Sequence, residues 1–136
     1  MFRTLIIDHN QVFRETFRTE LLNHFPYITI LEAKGGQEAL EKSRLLPFSL
    51  IFVDIWLPRM NGLQLIHKIK KVHPNIRVVV MTAYDLPEYR EAAIKNGADI
   101  FLIKDQVKWE EIERLVNSID IAPRQRLLTP ALFAAR

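Results

Sequence analysis

The sequence predicts an open, doubly wound α/β domain, and three observations carry the prediction. Five apolar runs of strand length alternate with five stretches of helical period. Most of the runs lack polar alternation, as expected of strands covered on both faces by helices. The connections are short, and 136 residues suit one domain. Strand–helix repeats of this kind build a parallel sheet through right-handed crossovers.

The first run is Thr4-Leu5-Ile6-Ile7. Phe13, Phe17 and Leu21 then recur at i+4 steps, and Phe25 with the stop residue Pro26 closes that helix. Ile28-Thr29-Ile30-Leu31 is the second run, followed by a thinner stripe of Ala39, Leu40 and Ser43. Leu50-Ile51-Phe52-Val53 is the third; Trp56, Pro58 and Asn61-Gly62 after it read as a loop. Leu65, Ile66, Ile69 and Val72 form the next core stripe, ended by Pro74. Val78-Val79-Val80-Met81 precedes a helix from Pro87 to Asn96-Gly97, with proline near its start and glycine just past its end. Ile100-Phe101-Leu102-Ile103 is the last run, and Ile112, Leu115, Val116 and Ile119 give the clearest helical stripe. From Ile121 onward "IAPRQRLLTPALFAAR" changes character, with two prolines and three arginines. Residues 1–120 are therefore expected to form the domain, and 121–136 a C-terminal tail or linker remnant.

Hydrophobic residues make up 49% and charged ones 26%, an ordinary globular balance. The apolar runs are far short of the roughly 20 residues needed to cross a bilayer, so no membrane insertion is expected. The N-terminus lacks a signal-peptide layout, and with no cysteine there is no disulfide framework or thiolate metal site. A cytoplasmic location is the expectation. The net charge of +3 is mildly basic, carried in part by Lys68, Lys70, Lys71, Arg77, Arg124, Arg126 and Arg136. Such a scatter suits a solvated helix face better than a nucleic-acid patch.

Open α/β sheets bind ligands in the crevice beyond the carboxyl ends of their strands. Asp8 ends the first apolar run, Asp54 the third, Thr82 the fourth and Lys104 the fifth. A strand-terminal aspartate alone is usually a helix or turn cap. Two carboxylates, a hydroxyl and an ammonium along one edge are hard to assign to capping alone, and together they suit a phosphoryl group. An aspartate can take it as an acyl phosphate, while lysine and hydroxyl hold its oxygens. A divalent metal on the carboxylates would screen an anion approaching Asp54.

The segments "LIID", "LIFVDIWLPRMNG", "VVVMTA" and "FLIKD" together make the chain resemble the receiver domain of bacterial two-component response regulators, over residues 3 to about 120. "VFRE" after Asp8 and "KD" at Lys104-Asp105 are most similar to regulators whose receiver precedes a helix-turn-helix DNA-binding domain. "LLTP" at 127 to 130 is similar to the opening of that second domain. The resemblance implies a flavodoxin-like (βα)5 fold with a five-stranded parallel sheet in the order 2-1-3-4-5.

It also implies roles. Asp54 would be the phosphoacceptor, and Asp8, Asp54 and the backbone carbonyl of Trp56 would hold Mg2+. Thr82 would be the hydroxyl that moves onto the phosphoryl group, Lys104 its counter-ion, and Phe101 the aromatic switch that rotates inward with Thr82. The donor would be a sensor histidine kinase or phosphotransfer protein, and output would leave through the fourth helix, fifth strand and fifth helix, with a homodimer as one outcome of activation. DNA would be a partner only if a lost or truncated output domain exists.

Two departures stand out. His9 occupies the place of the family's usual second acid, which predicts weak Mg2+ binding if it faces the pocket and nothing if it faces solvent. Phe101 lacks the hydroxyl of the commoner tyrosine. Trp56 and Tyr84, two residues beyond Asp54 and Thr82, either shield an acyl phosphate from water or only pack on the loops. The alternative to a switch is a pseudo-receiver, a protein-binding module without phosphoryl chemistry. A phosphatase of the haloacid dehalogenase type is disfavoured, because Trp56 stands where that class carries its proton-transferring aspartate. The chain is thus expected not to be an enzyme, beyond self-phosphorylation from a donor and autodephosphorylation.

Overall fold

In a computed structural model, residues 1–128 are described, with side chains through Ile119. Strands β1 (Arg3–Ile7), β2 (Thr29–Ala33), β3 (Leu50–Asp54), β4 (Arg77–Thr82) and β5 (Ile100–Ile103) alternate with helices. The helices are α1 (Gln11–His24), α2 (Gly36–Leu45), α3 (Gly62–Val72), α4 (Pro87–Lys95) and α5 (Trp109–Leu128). The strands form one parallel sheet in the order β2-β1-β3-β4-β5, the flavodoxin-like arrangement that the resemblance implies. α5 runs through residue 120, and residues 129–136 of the expected tail lie outside those described.

Strand alternation sorts the core into two layers. Leu5, Ile7, Ile51, Val53, Val78, Val80, Phe101 and Ile103 share a cluster with Ala39 of α2, Leu65, Ile66 and Ile69 of α3 and Ala93 of α4. Ile6, Phe52, Val79, Met81 and Leu102 share the other with Phe17 and Leu21 of α1 and Ile112, Leu115 and Val116 of α5. Fully burying one such aliphatic or aromatic side chain stabilises the fold by about 1.5–3 kcal/mol. Val72, expected in the core stripe, is exposed instead. It is the last residue of α3 and lines an open cavity with Leu45.

The turn after β3 differs from the expected loop in one respect. Asn61 is the N-cap of α3 and Gly62 its first residue. The Asn61 side chain accepts the Gln64 N–H at 2.9 Å, and the Gln64 side chain accepts the Asn61 N–H at 3.3 Å. Glycine at position 62 answers to close approach: a Cβ there would lie 2.2 Å from the carbonyl oxygen of Asp54. The same turn places Arg59 at φ 69°, a left-handed conformation unusual for a residue with a side chain.

Candidate functional site

β3 and β4 close on Asp54 and Thr82, while Asp8 and Lys104 each follow their strand by one residue. The ladders continue into these residues, with Asp8 N–H donating to the Ala33 carbonyl at 3.0 Å and Lys104 N–H to the Thr82 carbonyl at 2.8 Å. The four polar residues therefore share the carboxyl edge of the sheet.

Three of them meet directly. The Lys104 ammonium lies 2.6 Å from Asp8 Oδ2 and 2.8 Å from Asp54 Oδ2. β5 is two strands from β3, about 10 Å at the usual spacing, a gap that the lysine's long stem crosses. The ring of Phe13 lies 4.2 Å beneath the ammonium, a cation–π contact that fixes the approach from α1. Both acids are buried, Asp8 at 2% and Asp54 at 8% exposure. Their remaining oxygens are held by the chain: Asn10 N–H donates to Asp8 Oδ1 at 2.8 Å, and Trp56 N–H to Asp54 Oδ1 at 3.1 Å.

Burial pushes the Asp54 carboxyl above its ordinary pKa, and the Asp8 charge adds to that shift; the hydrogen bond and charge of Lys104 and the Trp56 N–H pull the other way. Burial opposes the charge on Lys104, but hydrogen bonds and attraction from the two aspartates outweigh it and raise its pKa. The cluster is thus two acids sharing one firmly protonated ammonium.

Thr82 is fully buried and its hydroxyl accepts the Tyr84 N–H at 3.3 Å. Its strand position matches that of Val78 and Val80, so it belongs with Phe101 on the α4 side of the sheet. Trp56 and Tyr84, each more than half exposed, meet edge to face with ring centres 6.0 Å apart, and Tyr89 meets Trp56 at the same distance. The pocket mouth therefore carries three rings.

His9 is exposed and lines a neighbouring cavity of about 730 Å3 with Lys34, Gly36 and Met60. Among the described residues, no three acidic or imidazole side chains converge as an ion site. Asp8 and Asp54 still offer hard oxygens, the donors that magnesium prefers. These two carboxylates are the residues that would hold such an ion.

Sequence reasoning misses the support behind Asp8. The Arg14 guanidinium donates to the Asp8 carbonyl at 2.6 Å and to Glu32 Oε1 at 2.9 Å, and Arg18 pairs with Glu32 at 3.5 Å. The signal is present: a lone acid in an apolar strand run, and two arginines four apart beside the Phe13–Phe17 stripe. Phe13 reads along the chain only as core, and nothing local marks Tyr89 or Arg90 for a role.

The family model described as response regulator receiver domain matches residues 4–118, and the chain belongs to that family. The nitrate/nitrite response regulator NarL of Escherichia coli K12 is 31% identical over 137 residues, covering 96% of this chain. The chain spans only 61% of NarL. The structure of a DNA-binding response regulator of the LuxR family from Staphylococcus aureus superposes with a TM-score of 0.76 at 25% identity, covering 88% of this chain and 98% of that one. A Burkholderia pseudomallei response regulator, solved with a phosphorylated aspartic acid, calcium and citrate, gives 0.75 at 29% identity over 93% of this chain and 74% of its own. Among the described residues, no helix is long and apolar enough to cross a membrane.

Proposed function

We propose that this chain is a phosphorylation-controlled switch whose Asp54 accepts a phosphoryl group from a histidine kinase or phosphotransfer protein. The observation that carries the reading is the Lys104 ammonium held between Asp8 and Asp54 at the carboxyl edge of the sheet. A carboxylate oxygen of Asp54 attacks the phosphorus of a phosphohistidine. The P–N bond breaks, its electron pair stays on the imidazole nitrogen, and an acyl phosphate forms. Lys104 moves its attraction from the carboxylate to the new phosphoryl oxygens, and the Thr82 hydroxyl donates to another.

Receiver domains generally bind Mg2+ at this site. Here Asp8, Asp54 and the Trp56 carbonyl would hold the ion, which would neutralise the charge between two acids and an incoming anion. With His9 supplying no oxygen, binding is weak. Trp56, Tyr84 and Tyr89 restrict water at the mouth and slow hydrolysis of the acyl phosphate. Output leaves through α4, β5 and α5, as movement of Thr82 draws Phe101 with it. Such a switch works in the cytoplasm. Its likeness to a DNA-binding relative suggests a DNA-binding output domain beyond this chain.

Acetyl phosphate with Mg2+ should add one phosphoryl mass to the protein, and Asp54→Ala should abolish it. An undiminished mass shift in that variant would sink the assignment. No shift in the wild type would favour a protein-binding module without phosphoryl chemistry.

A further inference from the structure

We propose that Arg90 is a positioning residue for the switch, holding the Phe101 ring inward by stacking its guanidinium over the ring face. The guanidinium carbon lies 4.8 Å from the ring centre. Arg90 makes no ion pair among the described residues, so the ring is the contact its charged group makes. Phe101 is only 5% exposed, lies in the layer under α4, and pairs with Val80, two residues before Thr82.

The chemistry of phenylalanine explains why a latch matters here. A tyrosine turned outward gives its hydroxyl to water, which compensates part of the exposure. A phenylalanine turned outward exposes an apolar ring with no such return. The inward state is therefore already favoured, and a cation over the negative ring face adds to it from the solvent side. Arg90 also ties this ring to a weakly anchored helix, since α4 buries Ala93 alone. Ring rotation and movement of α4 are thereby joined through this contact as well as through the apolar layer that Ala93 shares with Phe101.

This inference rests on Phe101 being the switch, so the test reads the ring without any phosphoryl group. Three-bond couplings in isotopically labelled protein give the χ1 populations of Phe101 in wild type, Arg90→Lys and Arg90→Gln. Arg90→Gln should raise the ratio of outward to inward ring by roughly two- to fivefold, the effect of a cation–π contact at an exposed site. Arg90→Lys, which keeps a cation, should fall between. Unchanged populations in Arg90→Gln would overturn the latch. A beryllofluoride titration of the wild type and Arg90→Gln separates the two readings. Its failure to bind would count against Asp54 as acceptor, while the rotamer comparison still decides the role of Arg90.

Discussion

The two sides of the strand-end edge are held by different forces. On the α1/α5 side, Asp8, Asp54 and Lys104 are locked by ion pairs of 2.6 and 2.8 Å, with backbone N–H groups on the acids' other oxygens. On the α4 side, Thr82 accepts one hydrogen bond at 3.3 Å, and Phe101 is held by the apolar layer around it with one arginine over its ring. Charged groups in a buried site are expensive to unpair, whereas a neutral hydrogen bond contributes about 1 kcal/mol. The two sides therefore resist displacement differently, one through paired buried charges and the other through apolar packing and one neutral hydrogen bond.

The largest test removes the ammonium. Lys104→Met leaves two buried carboxylates facing each other and should cost about 3–5 kcal/mol at neutral pH, read by chemical denaturation. Thr82→Val should cost about 1 kcal/mol, and equal losses would break the comparison. Because folding raises the pKa of Lys104, its contribution is complete below the ordinary lysine value and is lost as pH rises through the raised one. The wild type and Lys104→Met should therefore converge in strong alkali.

Next in size is Gly62→Ala. Its methyl would strike the Asp54 backbone, and relieving that contact should cost about 1–3 kcal/mol. Amide signals of Asp54 and Ile55 should shift with it; a silent variant would mean that the turn is looser than its geometry implies.

A smaller effect sharpens the account of the acids. Burial, aided by the Asp8 charge, raises the Asp54 pKa, so the ionised form is a net burden above that value. Asp54→Asn should raise the denaturation midpoint at pH 7. The gain should shrink as pH falls through the raised pKa and vanish below the ordinary aspartate value. A gain that persists in acid would point to packing instead of charge.

The smallest effect concerns the position next to Asp8. His9→Asp adds a hard oxygen donor and one negative charge, so magnesium should bind more tightly, measured by calorimetry or quenching of Trp56 fluorescence. Equal affinity in both proteins would show that exposed His9 stands too far from the acids to matter.

Much of this was legible along the chain. The apolar runs marked all five strands, and the four polar residues at their ends marked the edge. Val72 departs from its stripe because helical period says which face a residue shares, yet not whether the last turn has anything to pack against. Arg90 was invisible because an exposed arginine on a polar helix looks like any solvated charge until a ring is found beneath it.

By itself the sequence determined the repeat of strand and helix, the two-layer core and the identity of the strand-end groups, since these follow from local periodicity and residue chemistry. Only the tertiary structure decided which of those groups meet. Strand order set Asp8 beside Asp54 and carried Lys104 to them across β4, while side-chain alternation sent Thr82 and Phe101 to the opposite side. Contacts between residues some fifty positions apart depend on chain crossovers and side-chain reach, and local sequence does not encode either.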